Sequence, residues 1–278
     1  MTLAVILIVG AAILGTVANA VWGPALKRHQ ERHGVSEFLT QTHTGNNYGP
    51  AATLLALLIA FVLAGATQSF SRAKTAVQTE ASLVDNLFET AEYLKEPQRE
   101  RLQHATVCYA RAVAGPEWET MKTGGSSDVP RNWTGTRNNG IRSTLQALGP
   151  DDSLFSALSS ADQKRGDARR TRLTEANPTI PGVLMAFMLG VMGTMIVFLA
   201  VASPRLSPFH IAATVISAAT LLCAVALIRT LDRPFGGPIK IEPTQMQITA
   251  GDVTEDFTER YGKARIGCDA SGNPTKPS

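Results

Sequence analysis

The chain has 278 residues, enough for one large domain or two small ones, and a formal net charge of only +3. Hydrophobic residues make up 44% and charged residues 18%, an almost soluble average that conceals apolar residues segregated into blocks. Basic residues flank those blocks and form no groove-binding run, which argues against a nucleic-acid partner. Cys108, Cys223 and Cys268 have no metal-like spacing, so all three are expected as free thiols, with no disulfide framework and no zinc site.

The first apolar block, Thr2 to Trp22, carries no charge. It reads as a transmembrane helix or as a secretory signal peptide, since Ala18-Asn19-Ala20 matches an A-x-A cleavage pattern. The n-region lacks Lys and Arg, which favours the helix. Residues 23 to 49 form a polar connection. His29 and His33 stand at i, i+4, a metal-capable spacing on a helix, but no third ligand lies beside them, and a solvated juxtamembrane turn accounts for them. Gly45 to Pro50 reads as a turn, with Pro50 in the first turn of the next helix.

Pro50 to Phe70 is an uncharged stretch of bilayer length. Nothing stops the helix there, and from Ser71 to Leu94 it continues with a charged, amphipathic pattern. Val77, Val84, Leu87, Phe88, Ala91 and Leu94 share one face, while Lys74, Gln78, Asp85, Glu89 and Glu92 lie mostly on the other. Glu80 falls inside the apolar stripe. It is either an edge carboxylate that reaches water or a buried one with a fixed cationic partner, sought among Arg169, Arg170, Arg172 and Arg233, because an unpaired buried carboxylate is costly.

Residues 97 to 114 read as a helix with Leu102, Ala105, Thr106, Tyr109 and Val113 as its stripe, ended by Gly115-Pro116. Residues 122 to 136 read as a Gly/Ser/Pro-rich loop that holds the sequon Asn132-Trp133-Thr134. A short helix with Ile141, Leu145 and Leu148 follows. Asp151-Asp152-Ser153 offers N-caps for a helix running to Glu175. That helix carries Lys164, Arg165, Arg169, Arg170 and Arg172, a cluster able to bind an anion but placed as the positive-inside flank of a span. A third span, Ile180 to Ala202, is rich in Met and contains Gly182, Gly190 and Gly193, which permit close helix approach. After a turn at residues 203–208, a fourth span runs from Phe209 to Ile228. Leu231 to Pro238 is too dense in Pro and Gly for a helix. Asp252 to Tyr261 reads as a short helix, and composition predicts disorder after about 265.

These elements predict an all-α membrane protein: four transmembrane helices, with spans two and three extended into a cytoplasmic helical layer. Its parts are a hairpin over 1–70, a cytoplasmic region over 71–178, a hairpin over 179–230 and a cytoplasmic tail over 231–278. The excess of Lys and Arg beside Arg72, Lys164 to Arg172 and Arg229 to Lys240 puts that region and both termini inside, as expected for a multi-pass protein of the plasma (inner) membrane. No catalytic constellation, phosphate loop or cofactor motif is present in the sequence, so neither an enzyme nor a cofactor is expected. No Asp, Glu, Lys or Arg occurs within the spans before Arg229. Coupled transporters usually carry such groups, whereas a pore of apolar and small residues does not need them. In the second span Leu54, Leu58, Phe61, Gly65 and Gln68 share a face. That face either meets lipid and neighbouring helices or lines a pore, and a pore requires a homo-oligomer.

The order of spans, the long second helix, the Glu80-Ala81 pair and Leu231-Asp232-Arg233-Pro234-Phe235-Gly236-Gly237 resemble the bestrophin-like bacterial membrane proteins over about residues 1 to 250. The resemblance to bestrophin anion channels implies a pentamer, small anions as permeants, Phe61 as a residue of a phenylalanine-lined neck and Leu57 one turn before it. Pro234-Phe235-Gly236 is similar to the segment that leads into the bestrophin calcium clasp. Gly65 stands where the channels have another large apolar residue. Gly237-Pro238-Ile239-Lys240 replaces the acidic run of the clasp, so no calcium gating is expected. The expected function is an anion channel or passive ion pathway; the alternative is a non-conducting scaffold or sensor whose cytoplasmic helices bind a partner.

Overall fold

A computed structural model describes residues 48–135, 140–201 and 208–275. The first apolar block with its signal-peptide alternative, His29 and His33, the turn at 203–207 and the His210 side chain lie outside the described residues. Described residues are helical apart from turns and one isolated bridge, Cys268 with Pro274. They form two compact units. One gathers described residues up to Thr67 with Ile180–Arg229, and the other Gln68–Thr179 with those from Thr230 on.

Helix α1 (Tyr48–Ala91, 44 residues) runs without a break from the apolar stretch into the amphipathic one. With α7 (Gly182–Val201) and α8 (Pro208–Leu231) its first half builds the apolar unit. Among the described residues, α1 and α8 are long and apolar enough to cross a membrane, and α7 has a shorter apolar stretch, Gly182–Val197. Leu55 and Val62 of α1 pack with Met185, Met188, Met192 and Ile196 of α7 and with Val225 and Ile228 of α8. The methionines of α7 are thus packing residues, suited to irregular gaps by their flexible thioethers. Among the described residues, a Cβ on Gly182, Gly190 or Gly193 of this helix would meet nothing within 4 Å.

In the second unit the amphipathic half of α1 buries its predicted stripe; Val84, Leu87 and Ala91 are fully covered. At its centre is α2 (Gln98–Ala112), whose residues 105–110 are all buried. Gly115-Pro116 does not end the helical path. A π-helical turn, Val113–Glu117, absorbs Pro116 and leads straight into α3 (Trp118–Met121). A wider turn of this kind re-registers the backbone hydrogen bonds, so the missing proline N–H is tolerated. The predicted loop at 122–136 contains a short helix, α4 (Arg131–Thr134), which buries Trp133. Then come α5 (Ile141–Leu148), α6 (Phe155–Glu175) and, after α8, α9 (Thr244–Tyr261). The Asp152 carboxylate accepts the Leu154 N–H, so the predicted cap acts in the turn before α6.

Two expectations about the C-terminal stretch are overturned. Cys108 and Cys268 are disulfide-bonded across a sequence separation of 160, and only Cys223, exposed on α8, is a free thiol. The described residues beyond 265, up to Thr275, follow a 3-10 turn at Lys263–Arg265 as a polar strap held on α2. Spacing arithmetic shows only local cysteine patterns, and composition reports only the lack of apolar residues. Neither reveals that α2 offers the strap a sulfur and polar partners.

Candidate functional site

Within the apolar unit, α1 has a covered and an uncovered side. Leu55, Val62 and Ala66 are buried. The other side presents Leu54 (67% exposed), Leu57 (58%) and Phe61 (82%), with Gly65 also exposed and Leu58 half-buried; Gln68, the first residue of α1 in the second unit, is exposed too. Among the described residues nothing lies within 4 Å of a Cβ placed at Gly65. Five of the six candidate lining residues therefore lie on a face that no other described part of the chain covers. Leu58 instead packs at the edge of the apolar core.

In the other unit, Glu80 is fully buried and has a partner. Arg172 of α6, also fully buried, grips it with Nε to Oε2 at 2.6 Å and Nη2 to Oε1 at 3.1 Å. The Tyr109 hydroxyl of α2 donates to Glu80 Oε1 at 2.5 Å. Burial, and next the charge of Glu80, push the Tyr109 phenol well above its ordinary range, which keeps it protonated as a donor. Arg172 Nη2 also reaches Glu117 Oε1 at 2.5 Å, and Arg169 donates its Nε to the same oxygen at 3.1 Å. Burial pushes the Glu117 carboxyl up, but the hydrogen bond from Arg169 and the charges of Arg172 and Arg169 outweigh it and hold the group below the usual carboxylate range. Arg165 pairs with Asp162 at 2.6 Å and lies 4.4 Å over the Tyr109 ring. Glu80, Glu117 and Asp162 balance Arg165, Arg169 and Arg172, so the cluster carries no formal net charge, the condition under which buried ions are tolerated.

The basic cluster on α6 is therefore not simply a solvated flank. Arg165 and Arg172 are buried in ion pairs and Arg169 nearly so, whereas Arg170 pairs with Asp167 at the surface and Lys164 is exposed. The signal was present in the spacing: residues 162, 165, 169 and 172 fall on one helical face. Glu117, Tyr109 and Asp162 were missed because their roles depend on the π-helical turn and on long-range packing.

The turn after α8 is built around side chains that point inward. Asp232 accepts the Thr179 N–H at 2.8 Å, and Phe235 is buried edge-on against Trp118 with ring centroids 5.4 Å apart. Pro234 is buried and its carbonyl accepts the Ile241 N–H, whereas Arg233 is exposed and its carbonyl accepts the N–H groups of Gly236 and Gly237. A Cβ at Gly236 would fall 2.3 Å from the Lys122 carbonyl oxygen, so the motif requires glycine there for space. In the same unit Glu175 accepts from Ser69 and from Arg72 Nε at 2.6 Å, and Ser69 lies 3.0 Å from the Thr179 hydroxyl. Among the described residues no group of three His, Cys, Asp or Glu is placed to hold a metal ion.

The described residues are thus helical, with an unbroken apolar-to-amphipathic helix and a buried ion cluster. The Bestrophin-like domain model matches residues 6–246, and the chain belongs to that family. Its fold is similar to that of a bacterial bestrophin homolog from Klebsiella pneumoniae, at 14% identity and TM-score 0.65, covering 93% of this chain and 98% of that one. A point-mutant form of that homolog is similar at 11% identity and TM-score 0.64, covering 92% and 99%. None of the curated proteins matches the sequence.

Proposed function

We propose that the chain is one subunit of a homo-oligomeric ion pathway, an anion channel or passive conduit with Phe61 at its constriction. The supporting observation is the uncovered face of α1, where Phe61 is 82% exposed while the opposite face is packed. A large apolar side chain that the described part of a membrane protein leaves exposed meets lipid, another span, a neighbouring subunit or a pore lumen. Gln68, on the same face, is costly against lipid and suits a wetted inner mouth. Leu54 and Leu57 lie on the outer side of the ring, and Gly65 leaves the constriction open by one turn.

In this reading four spans cross the plasma (inner) membrane, at about 2–22, 50–70, 180–202 and 209–228. Residues 71–178 and 231–278 form the cytoplasmic layer with both termini. The buried arginines of α6 no longer count toward sidedness, but Lys74, Lys164, Arg170, Arg233 and Lys240 remain exposed to support it. The pentamer is carried over from the family. Glu80 and the Asp232–Gly236 turn serve as structural supports of the layer.

Purified protein in planar bilayers is expected to pass chloride, and Phe61→Ala to raise conductance several-fold by widening an apolar, dewetting constriction. A silent wild type, with Phe61 substitutions without effect and a protein that co-purifies, would instead establish a scaffold.

A further inference from the structure

We infer that Cys108 and Cys268 form a thiol–disulfide switch that latches the C-terminal strap, residues 262–275, onto α2. The strap lies along one face of that helix. His104, Cys108, Arg111 and Ala112, spaced i, i+4, i+7 and i+8, each meet it. The Gly267 N–H donates to His104 Nε2 at 2.9 Å, Cys268 bonds to Cys108, and Arg111 Nη1 donates to the Asp269 carbonyl at 3.3 Å. Gly272 sits at φ +74°, where a Cβ would fall 2.5 Å from the Ala112 nitrogen, and its carbonyl accepts the Trp133 indole N–H at 2.6 Å.

The strap buries very little of its own. From Gly262 to Thr275 only Cys268 and Gly272 are buried, and Ile266 and Gly267 are half-buried. A segment with so few apolar contacts belongs to the least stable part of a fold and opens locally. The covalent bond is then the dominant restraint, because the remaining contacts are a few hydrogen bonds, the solvent-exposed ion pair of Arg265 with Glu100 at 3.1 Å and the half-buried Ile266, each modest in net effect. Beneath the strap lies a well-packed aromatic floor, with Trp133 1% exposed and His104 edge-on to it at 5.3 Å. Release of the strap uncovers this floor without requiring the helices below to separate.

Reduction is a two-electron step. A thiolate of an external dithiol attacks one sulfur, forms a mixed disulfide and expels a chain thiolate. Its second thiolate then displaces the other sulfur, leaving the dithiol oxidised and Cys108 and Cys268 as two thiols after protonation. That cells supply the reductant rests on the cytoplasmic placement proposed above, since thiols are kept reduced there. The switch itself does not.

The test uses the full chain in detergent with Cys223→Ser, which removes the remaining free thiol. Alkylation counting and hydrogen exchange are read before and after dithiothreitol and again after reoxidation. No labelled thiol is expected in the oxidised protein and two in the reduced protein. Amide protection at Gly267 and Gly272 should fall on the order of tenfold or more on reduction and return on reoxidation, while α1 and α6 stay protected. Cys108→Ser should hold the strap in the released state under both conditions. Two free thiols in the oxidised sample would overturn the inference. So would unchanged protection of the strap on reduction, or a loss of protection that spreads through α1 and α6 together, which would mark a staple of the whole unit.

Discussion

Arg172→Ala is expected to destabilise the protein by about 3–5 kcal/mol, the cost typical of removing one partner of a buried ion pair. Arg172 is fully buried and serves two carboxylates, Glu80 and Glu117, from two different elements. Its loss leaves Glu80 with only the Tyr109 hydroxyl, and Glu117 with only Arg169. Arg172→Lys should recover only part of the loss, because an ammonium cannot make the two parallel bonds to Glu80. Adding Glu80→Ala to Arg172→Ala should be less damaging than the sum of the single changes, with a coupling of about 0.5–3 kcal/mol. Thermal unfolding of the purified variants in one detergent measures all of this. If Arg172→Ala unfolds at the wild-type temperature, the cluster is not what holds α1 to α6.

Phe235→Ala is expected to cost about 3–5 kcal/mol, the range for emptying a buried aromatic site. Phe235 is 1% exposed and packs with Trp118, Met121, Ala73, Val77 and Ala176, so the side chain joins the turn after α8 to α1, α3 and the end of α6. Phe235→Leu keeps much of the volume and should lose less. The contrast separates packing from any role of the ring in binding an ion. A Phe235→Ala protein with unchanged unfolding temperature but altered ion flux would show the turn to be a functional element and not a support.

The packing around Phe235 also explains why Leu231 to Gly237 stands out in the sequence. Asp232 caps an N–H, Pro234 and Phe235 fill the core, and Gly236 leaves room for the Lys122 carbonyl. Short, dense motifs of this kind are legible because the constraint is local. The stripe from Val77 to Leu94 was legible for another reason, the 3.6-residue period, and Glu80 was conspicuous as the polar residue that interrupts it. Arg165, Arg169 and Arg172 are visible as a cluster but read equally as a membrane flank, since charge near an apolar span has two physical readings. Their i, i+4, i+7 spacing, in register with Asp162, is what separates the buried reading from the solvated one.

Other features lay beyond sequence reasoning. Glu117 enters the cluster only because the π-helical turn carries the chain past Pro116 and turns that carboxylate inward. The Cys108–Cys268 bond joins residues separated by 160 positions, and the strap that carries Cys268 has the polar composition of a disordered tail. In both cases the deciding partner is distant in sequence. The face of α1 that bears Phe61 is legible as a stripe; what it meets lies outside the described residues.

The proposal that this chain builds an ion pathway is therefore tested most directly by the mass of the particle in mild detergent, corrected for bound detergent and lipid. Among the described residues of the 29.6 kDa protomer nothing covers the Phe61 face, and in the proposed reading a lumen lined by it needs further copies of the chain. The expected result is a single closed homo-oligomer, a pentamer if the family arrangement carries over. A monomer or dimer at every protein concentration would contradict it.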